Sequence, residues 1–218
     1  MTTFRNEELD LIQDLAVADL LDGGGDVLAE LVRGRDVAMV YSDPPWNPGN
    51  EKWWRRHAGA EPPDSYDHLL DAWCACVAAC RPAHVFSEQS VNEKHRKMFT
   101  DAVDRCDGWT LPLLEEWTVY YGSGGSRSCI RPNKLLHFGT QQLATDPTDL
   151  RGIKMTECVF DGLGLPARSL VVDPCMGKGM TSRVSHSHGL CCVGTELNPK
   201  RLAKTQEWLL KHGYVRHE

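Results

Sequence analysis

Short apolar runs alternate with longer amphipathic stretches along this chain. "DVAMVYS" (36–42), "AHVFSE" (83–88), "SLVVDP" (169–174) and "LCCVGTE" (190–196) each read as a short buried strand. "LLEEWTVYYG" (113–122) alternates as a strand does, "KLLHFGTQ" (134–141) predicts another, and "AVADLL" (16–21), closed by "DGGGD" (22–26), predicts a short one. Helical stretches lie between them. "VLAELV" (27–32) predicts one short helix, and "SYDHLLDAWCACVAACR" (65–81) carries Leu69, Leu70, Trp73, Val77 and Cys80 at helical spacing. Ser90 and Glu93 form a capping box for a helix to about Cys106. "KMTECVFDGLG" (154–164) reads as a helix ending at glycine, and "TSRVSHSH" as one stopped by Gly189. Asn198 and Pro199 start a last helix, as cap and first position, which Gly213 ends. "EKWWRRHAGAEPPD" (51–64) and the basic "GSGGSRSCIRPN" (122–133) read as loops. Apolar strands separated by helices predict an α/β domain around a parallel sheet.

With 218 residues, 41% of them hydrophobic, the chain suits one globular domain. No apolar run is long enough to cross a bilayer, and the acidic "MTTFRNEELDLIQ" start does not resemble a secretory signal. Nine cysteines is a high count, but the number is odd, and reduced buried thiols in a cytosolic protein are expected. Cys74, Cys76 and Cys80 lack a regular metal spacing, and His186 and His188 beside Cys191 and Cys192 read as a helix end and a strand; no metal is expected. The net charge of −6 counts against a tight nonspecific nucleic-acid binder, leaving only local basic patches for such contact.

Two predicted strands end in unusual chemistry. One delivers "SDPPW", the other "VVDPCMGKGM" (171–180). Gly177 and Gly179 let the backbone approach a ligand before a helix opens. A dinucleotide fingerprint would need glycine where Ser182 stands, and a P-loop would need it where Val172 stands. Glu196 at the end of the next strand can take hydrogen bonds from a ribose diol. Strand, glycine turn, helix, strand and acid outline a nucleoside-cofactor site. At the other tip, the prolines fix the backbone and remove two donors, which leaves the Pro44 carbonyl placed to accept. With the Asp43 carboxylate and the flat face of Trp46, that suits a planar amino group on a heteroaromatic ring.

These residues resemble the S-adenosylmethionine-dependent DNA amino-methyltransferases. Asp43-Pro44-Pro45-Trp46 matches their (D/N/S)PP(Y/F/W) catalytic motif, and "DPCMGKGMT" resembles their DPFxGxGTT cofactor motif. The catalytic motif comes first, as in the β class. "GGDVLAELVRGRDVAMVYSDPPW", "EEWTVYY" and "GIKMTECVF" resemble further segments of that class, so the likeness covers about 16–212. Cys175, Lys178, Met180 and Met155 depart from its usual residues. The resemblance implies a Rossmann-like class I methyltransferase fold with a mostly parallel, doubly wound sheet in circularly permuted order. It implies S-adenosylmethionine held by Asp26, Lys154, Asp173, Pro174, Cys175, Met176, Gly177, Gly179, Thr181 and Glu196. It further implies methyl transfer to adenine N6, with N4-cytosine or RNA methylation, or a catalytically silent binding subunit, as alternatives.

The expected partner is DNA, single-stranded or with its base flipped from the duplex. The residues expected to touch it are Lys52, Trp53, Trp54, Arg55 and Arg56, and then Arg127, Arg131 and Lys134. The last three lie in a target-recognition insert of only about 122–150 within a single domain spanning 1–218. So small an insert implies a short target or help from a second subunit in a homodimer. The expected location is the cytoplasm of a prokaryote or phage-infected host.

Overall fold

The buried runs become strands of one sheet in a computed structural model that describes residues 1–121 and 130–217. In chain order the elements are β1 (Thr2–Asn6), β2 (Leu11–Val17), α1 (Gly24–Val32), β3 (Val37–Ser42), α2 (Pro48–Ala58), α3 (Tyr66–Cys80), β4 (His84–Gln89), α4 (Glu93–Arg105), β5 (Leu113–Tyr121), β6 (Arg131–Gly139), α5 (Gly152–Leu163), β7 (Leu170–Asp173), α6 (Met180–Ser187), β8 (Cys191–Glu196), α7 (Pro199–Lys211) and β9 (Val215–His217). The sheet order is β5-β6-β4-β3-β7-β8-β2-β1-β9. The five central strands, β4, β3, β7, β8 and β2, pair in parallel. Both flanks are antiparallel: β6 against β4 and β5 on one side, β1 against β2 and β9 on the other. The sheet is thus mixed, with its parallel part confined to the centre.

Successive strand side chains point to opposite faces, and both faces are covered. Val40, Val85 and Val172 belong to a core shared with α1, α3 and α4, while Tyr41, Phe86 and Val171 belong to a second core with Val159 and Phe160 of α5 and Val184 of α6. From β3 the chain leaves through α2 and α3 to β4 on one side; from β7 it leaves through α6 to β8 on the other. β3 and β7 are neighbours whose onward connections diverge. That is a topological switch point, where open α/β sheets bind ligands at the carboxyl ends of their strands.

Several local expectations need correction. The early strand is Leu11–Val17, not 16–21, and β1 and the edge strand β9 carried no recognisable period. Asn92 caps α4, accepting from the Lys94 N–H, while Ser90 accepts from the Asn92 N–H one step earlier. The largest revision is 51–64: residues Pro48–Ala58 form helix α2, capped by Asn47 with proline in its first turn. Of the proposed insert, Arg131–Gly139 is a sheet strand, and 122–129, with Arg127, lies outside the described residues.

Candidate active site

The two chemical tips meet. β3 and β7 pair with Val40 opposite Val172, so the chain emerges at Asp43 beside Asp173. Asp43 accepts a hydrogen bond from the Trp46 indole N–H at 2.7 Å. Burial raises its pKa to about 6, against the Trp46 bond and the Arg201 charge, which lower it. Trp46 packs edge-on against Tyr121, ring centroids 4.5 Å apart. The Tyr66 hydroxyl donates to the Pro45 carbonyl, whereas the Pro44 carbonyl has no donor among the described residues.

The glycine turn is tied internally. Asp173 accepts from the Cys175 N–H at 2.9 Å and from the Thr181 hydroxyl at 2.6 Å. Burial still outweighs both and lifts its pKa to about 7. Gly177 and Gly179 hold φ of 60° and 78°, the left-handed region that favours glycine. Glu196 accepts from the Gly177 N–H at 2.7 Å and the Asn198 N–H at 2.8 Å. Each carboxylate oxygen keeps a further acceptor site. Thr195 bonds the Pro174 carbonyl at 2.9 Å. Met176 turns into the core against Gly194, and the Cys175 thiol is pushed far above its ordinary pKa by burial. Asp173, Thr181 and Met176 therefore shape the turn, while Glu196 and the turn's backbone are the groups that can face a ligand.

Helix α2 lies across the mouth of this crevice. Arg55 donates to both carboxylate oxygens of Asp19, beyond β2, at 2.8 and 2.7 Å. Burial alone would raise the Asp19 pKa; the Arg55 and Leu21 hydrogen bonds hold it below its ordinary value. Asn198 donates to the His57 carbonyl at 3.1 Å. The Arg201 guanidinium sits 4.0 Å over the Trp54 ring, and a Cβ on Gly177 would stand 2.9 Å from it. Glu51, 2% exposed, has a buried oxygen without a partner among the described residues, and burial raises its pKa to about 7. So α2 splits the aromatic-basic run expected to touch DNA. Trp54 and Arg55 face the protein, whereas Lys52, Trp53 and Arg56 face outward, Trp53 with 49% of its surface exposed.

The remaining expected residues scatter. Asp26 is exposed in the first turn of α1, whose entry loop is closed by the Gly24 N–H on the Asp19 carbonyl. Lys154 lines a cavity of about 310 Å³ with Tyr120, Ile130, Asp149, Leu150 and Arg151, at the α5–β5 side. Lys134 pairs with Glu116 at 2.9 Å, and Arg131 is exposed. Burial raises the pKa of the Cys74, Cys76 and Cys80 thiols, as suits neutral packing groups. His186 contacts the Tyr214 hydroxyl and His188 contacts Asp161. Tyr121, Arg201, Tyr66, Asp19, Glu88 and Asn133 were not singled out by sequence, because each joins the site only through a neighbouring strand or helix.

No protein-family model and no curated protein sequence matches the chain. Solved structures do. M1.HpyAVI is similar over 90% of this chain and 98% of its own, at 13% identity and a TM-score of 0.61. TTHA0409, a protein of Thermus thermophilus complexed with S-adenosyl-L-methionine, is similar over 92% of this chain and 94% of its own, at 15% identity and TM-score 0.58. PvuII DNA methyltransferase (cytosine-N4-specific) is similar over 89% of this chain and 85% of its own, at 15% identity and TM-score 0.61. At such identities these likenesses establish a shared fold.

Proposed function

We propose that this protein is an S-adenosylmethionine-dependent DNA methyltransferase that modifies the exocyclic amine of a base, adenine N6 first. The observation that carries this reading is the adjacency of the β3 and β7 tips, which puts the Asp43-Pro44-Pro45-Trp46 motif beside the glycine turn. The fold shared with PvuII DNA methyltransferase and with two proteins solved as S-adenosylmethionine complexes supports it.

The residues present fit the cofactor. Glu196 has free acceptor sites for a ribose diol, and the left-handed glycines bring the backbone close to a ligand. Arg201 and α2 must draw back from the turn to admit it, because the guanidinium now lies over Gly177. When bound, S-adenosylmethionine supplies an electrophilic methyl group on a sulfonium.

The chain's own residues act on the amine. Its lone pair is spread into the ring, so it is a poor nucleophile. Hydrogen bonds from its two N–H groups to Asp43 and to the Pro44 carbonyl localise that lone pair on nitrogen. Trp46 leaves the Asp43 oxygen it now holds and stacks on the ring. The cofactor would supply the methyl carbon of the new N–C bond and would leave as a neutral thioether. The nitrogen turns cationic and strongly acidic, and Asp43 accepts its proton or passes it to water. Catalysis here is positioning and electrostatics. The target base is flipped or single-stranded, and Lys52, Trp53 and Arg56 on the outer face of α2, with Arg131, contact the strand. Cytosine N4 is the second reading, favoured by the PvuII likeness, since the same acceptors suit either amine.

The test is incubation with labelled S-adenosylmethionine and DNA, RNA or nucleosides, followed by digestion and identification of the methylated base. Label in DNA adenine is expected, and label in none would point to a binding subunit. Asp43→Ala should abolish transfer, by about a thousandfold or more, while cofactor binding is retained.

A further inference from the structure

On the sheet face that carries Tyr41 and Phe86, three strand tips bring polar side chains together. Glu88 lies two residues beyond Phe86 on β4, Asn133 two before Leu135 on β6, and Tyr121 two beyond Val119 on β5. Residues two apart on a strand share a face. Glu88 stands opposite Leu135, and Asn133 opposite Val119, so Glu88, Asn133 and Tyr121 are diagonal neighbours across the ladders. The Tyr41 hydroxyl donates to Glu88 at 3.1 Å and accepts from Thr156 of α5 at 3.3 Å. Trp46 joins the group from above, edge-on to Tyr121 and bonded to Asp43.

This cluster is incomplete. Asn133 is fully buried at 0% exposure, and neither its amide nitrogen nor its amide oxygen has a hydrogen-bond partner among the described residues. A buried amide with both ends unpaired is rare in folded proteins, where the large majority of buried polar atoms are paired. Glu88, 2% exposed, has no cation against it at salt-bridge distance among the described residues. Burial, then the neighbouring Asp43 charge, pushes its pKa well above the usual carboxylate range. The Tyr41 bond and the approach of the Asn133 amide, which falls short of hydrogen-bond geometry, offset only part of that rise. That rise favours the protonated form of Glu88, which carries an O–H donor close to the group expected to grip the amine.

The geometry points to Glu88 and Asn133 as specificity-determining residues that hold the ring edge of the target base next to its amine. This deepens the amino-methyltransferase reading and rests on it. Adenine and cytosine share that edge: an amine beside a ring nitrogen that accepts a hydrogen bond, N1 in one and N3 in the other. With the amine on Asp43 and Pro44, that nitrogen takes the Glu88 O–H. The Asn133 amide borders the same edge, its N–H sharing the ring nitrogen with the Glu88 O–H in adenine and reaching O2 in cytosine. Tyr121, freed when Trp46 turns away, closes the pocket.

The experiment compares single strands that differ at one atom: adenine against 1-deazaadenine, and cytosine against 3-deazacytosine. Replacing the ring nitrogen with C–H should slow transfer by the wild-type protein about tenfold or more. Glu88→Leu should be slow on both members of a pair, with their ratio near one, whereas Glu88→Gln, which keeps an N–H donor, should retain the preference. Asn133→Leu should weaken capture of the natural base about tenfold at unchanged cofactor affinity. Melting temperatures and cofactor affinities of each variant separate a folding defect from lost recognition. If wild type and Glu88→Leu show the same deaza ratio, or Glu88→Leu keeps the wild-type rate, the assignment is wrong while the methyltransferase reading stands. If wild type transfers nothing to the unmodified strands, both fall together.

Discussion

Asp43 is the residue on which charge state and function meet. Burial disfavours its charged form, so its pKa rises from 3.8 to about 6. In the proposed mechanism the ionised form is the one that accepts an amine N–H. The sign is therefore fixed: as pH falls through about 6 the acceptor is lost, and kcat/KM, which reports the free enzyme, should fall about tenfold per unit below it. A carboxylate at its ordinary value would hold activity to about pH 4. A kcat/KM profile flat from pH 7 down to 4.5 would contradict the role given to Asp43. Most of this residue's setting was readable in the chain, because the prolines and the tryptophan lie beside it. The bond from Trp46 was not, since nothing in the spacing says that the indole turns back onto its own motif.

At the scale of elements, the glycine turn is the most constrained piece. Gly179 has φ 78°, and a Cβ there would stand 2.4 Å from Thr205 of α7. Gly179→Ala therefore combines left-handed strain, about 1–2 kcal/mol, with a clash. A fall in Tm of about 5 °C or more is expected, at about 2–4 °C per kcal/mol for a chain of this size. Adding Thr205→Gly should relieve the clash, since even the Thr205 Cβ lies 2.9 Å away, but not the backbone strain. Equal melting of Gly179→Ala and wild type would mean the turn is less tightly held than this. The two glycines were legible as a turn, but Thr205 as their neighbour was not. Helix α2 is the element that sequence reasoning lost. Its aromatic and basic residues have weak apolar periodicity, and Gly59 and two further prolines follow it closely. What makes it a helix against the body is the Arg55–Asp19 pair and the Trp54–Arg201 contact, both to distant segments.

At the scale of the whole molecule, the crevice joins the tips of β3, β7 and β8, and α2 bridges it to the segment beyond β2. A ligand that binds there holds these parts together only in the folded state. S-adenosylhomocysteine at about a hundred times its Kd should therefore stabilise the protein by about 2.7 kcal/mol. That corresponds to a rise in Tm of about 5–10 °C, measurable by thermal scanning. An unchanged Tm at millimolar ligand would mean that the crevice does not take an adenosyl group.

The sequence by itself determined the local pieces. Apolar runs set the central strands, and the residues within each motif fixed its own chemistry, since prolines and glycines act on the backbone where they stand. Only the tertiary structure decided which pieces meet. Asn133 ended a predicted loop until β6 formed from Arg131, paired with β5 and β4, and placed it beside Glu88 without a partner among the described residues. Arg55 was a basic residue in a basic run until α2 folded onto Asp19. The physical reason is the same in both cases: strand pairing and helix docking join residues far apart in the chain, and those contacts leave no period in either partner's own sequence.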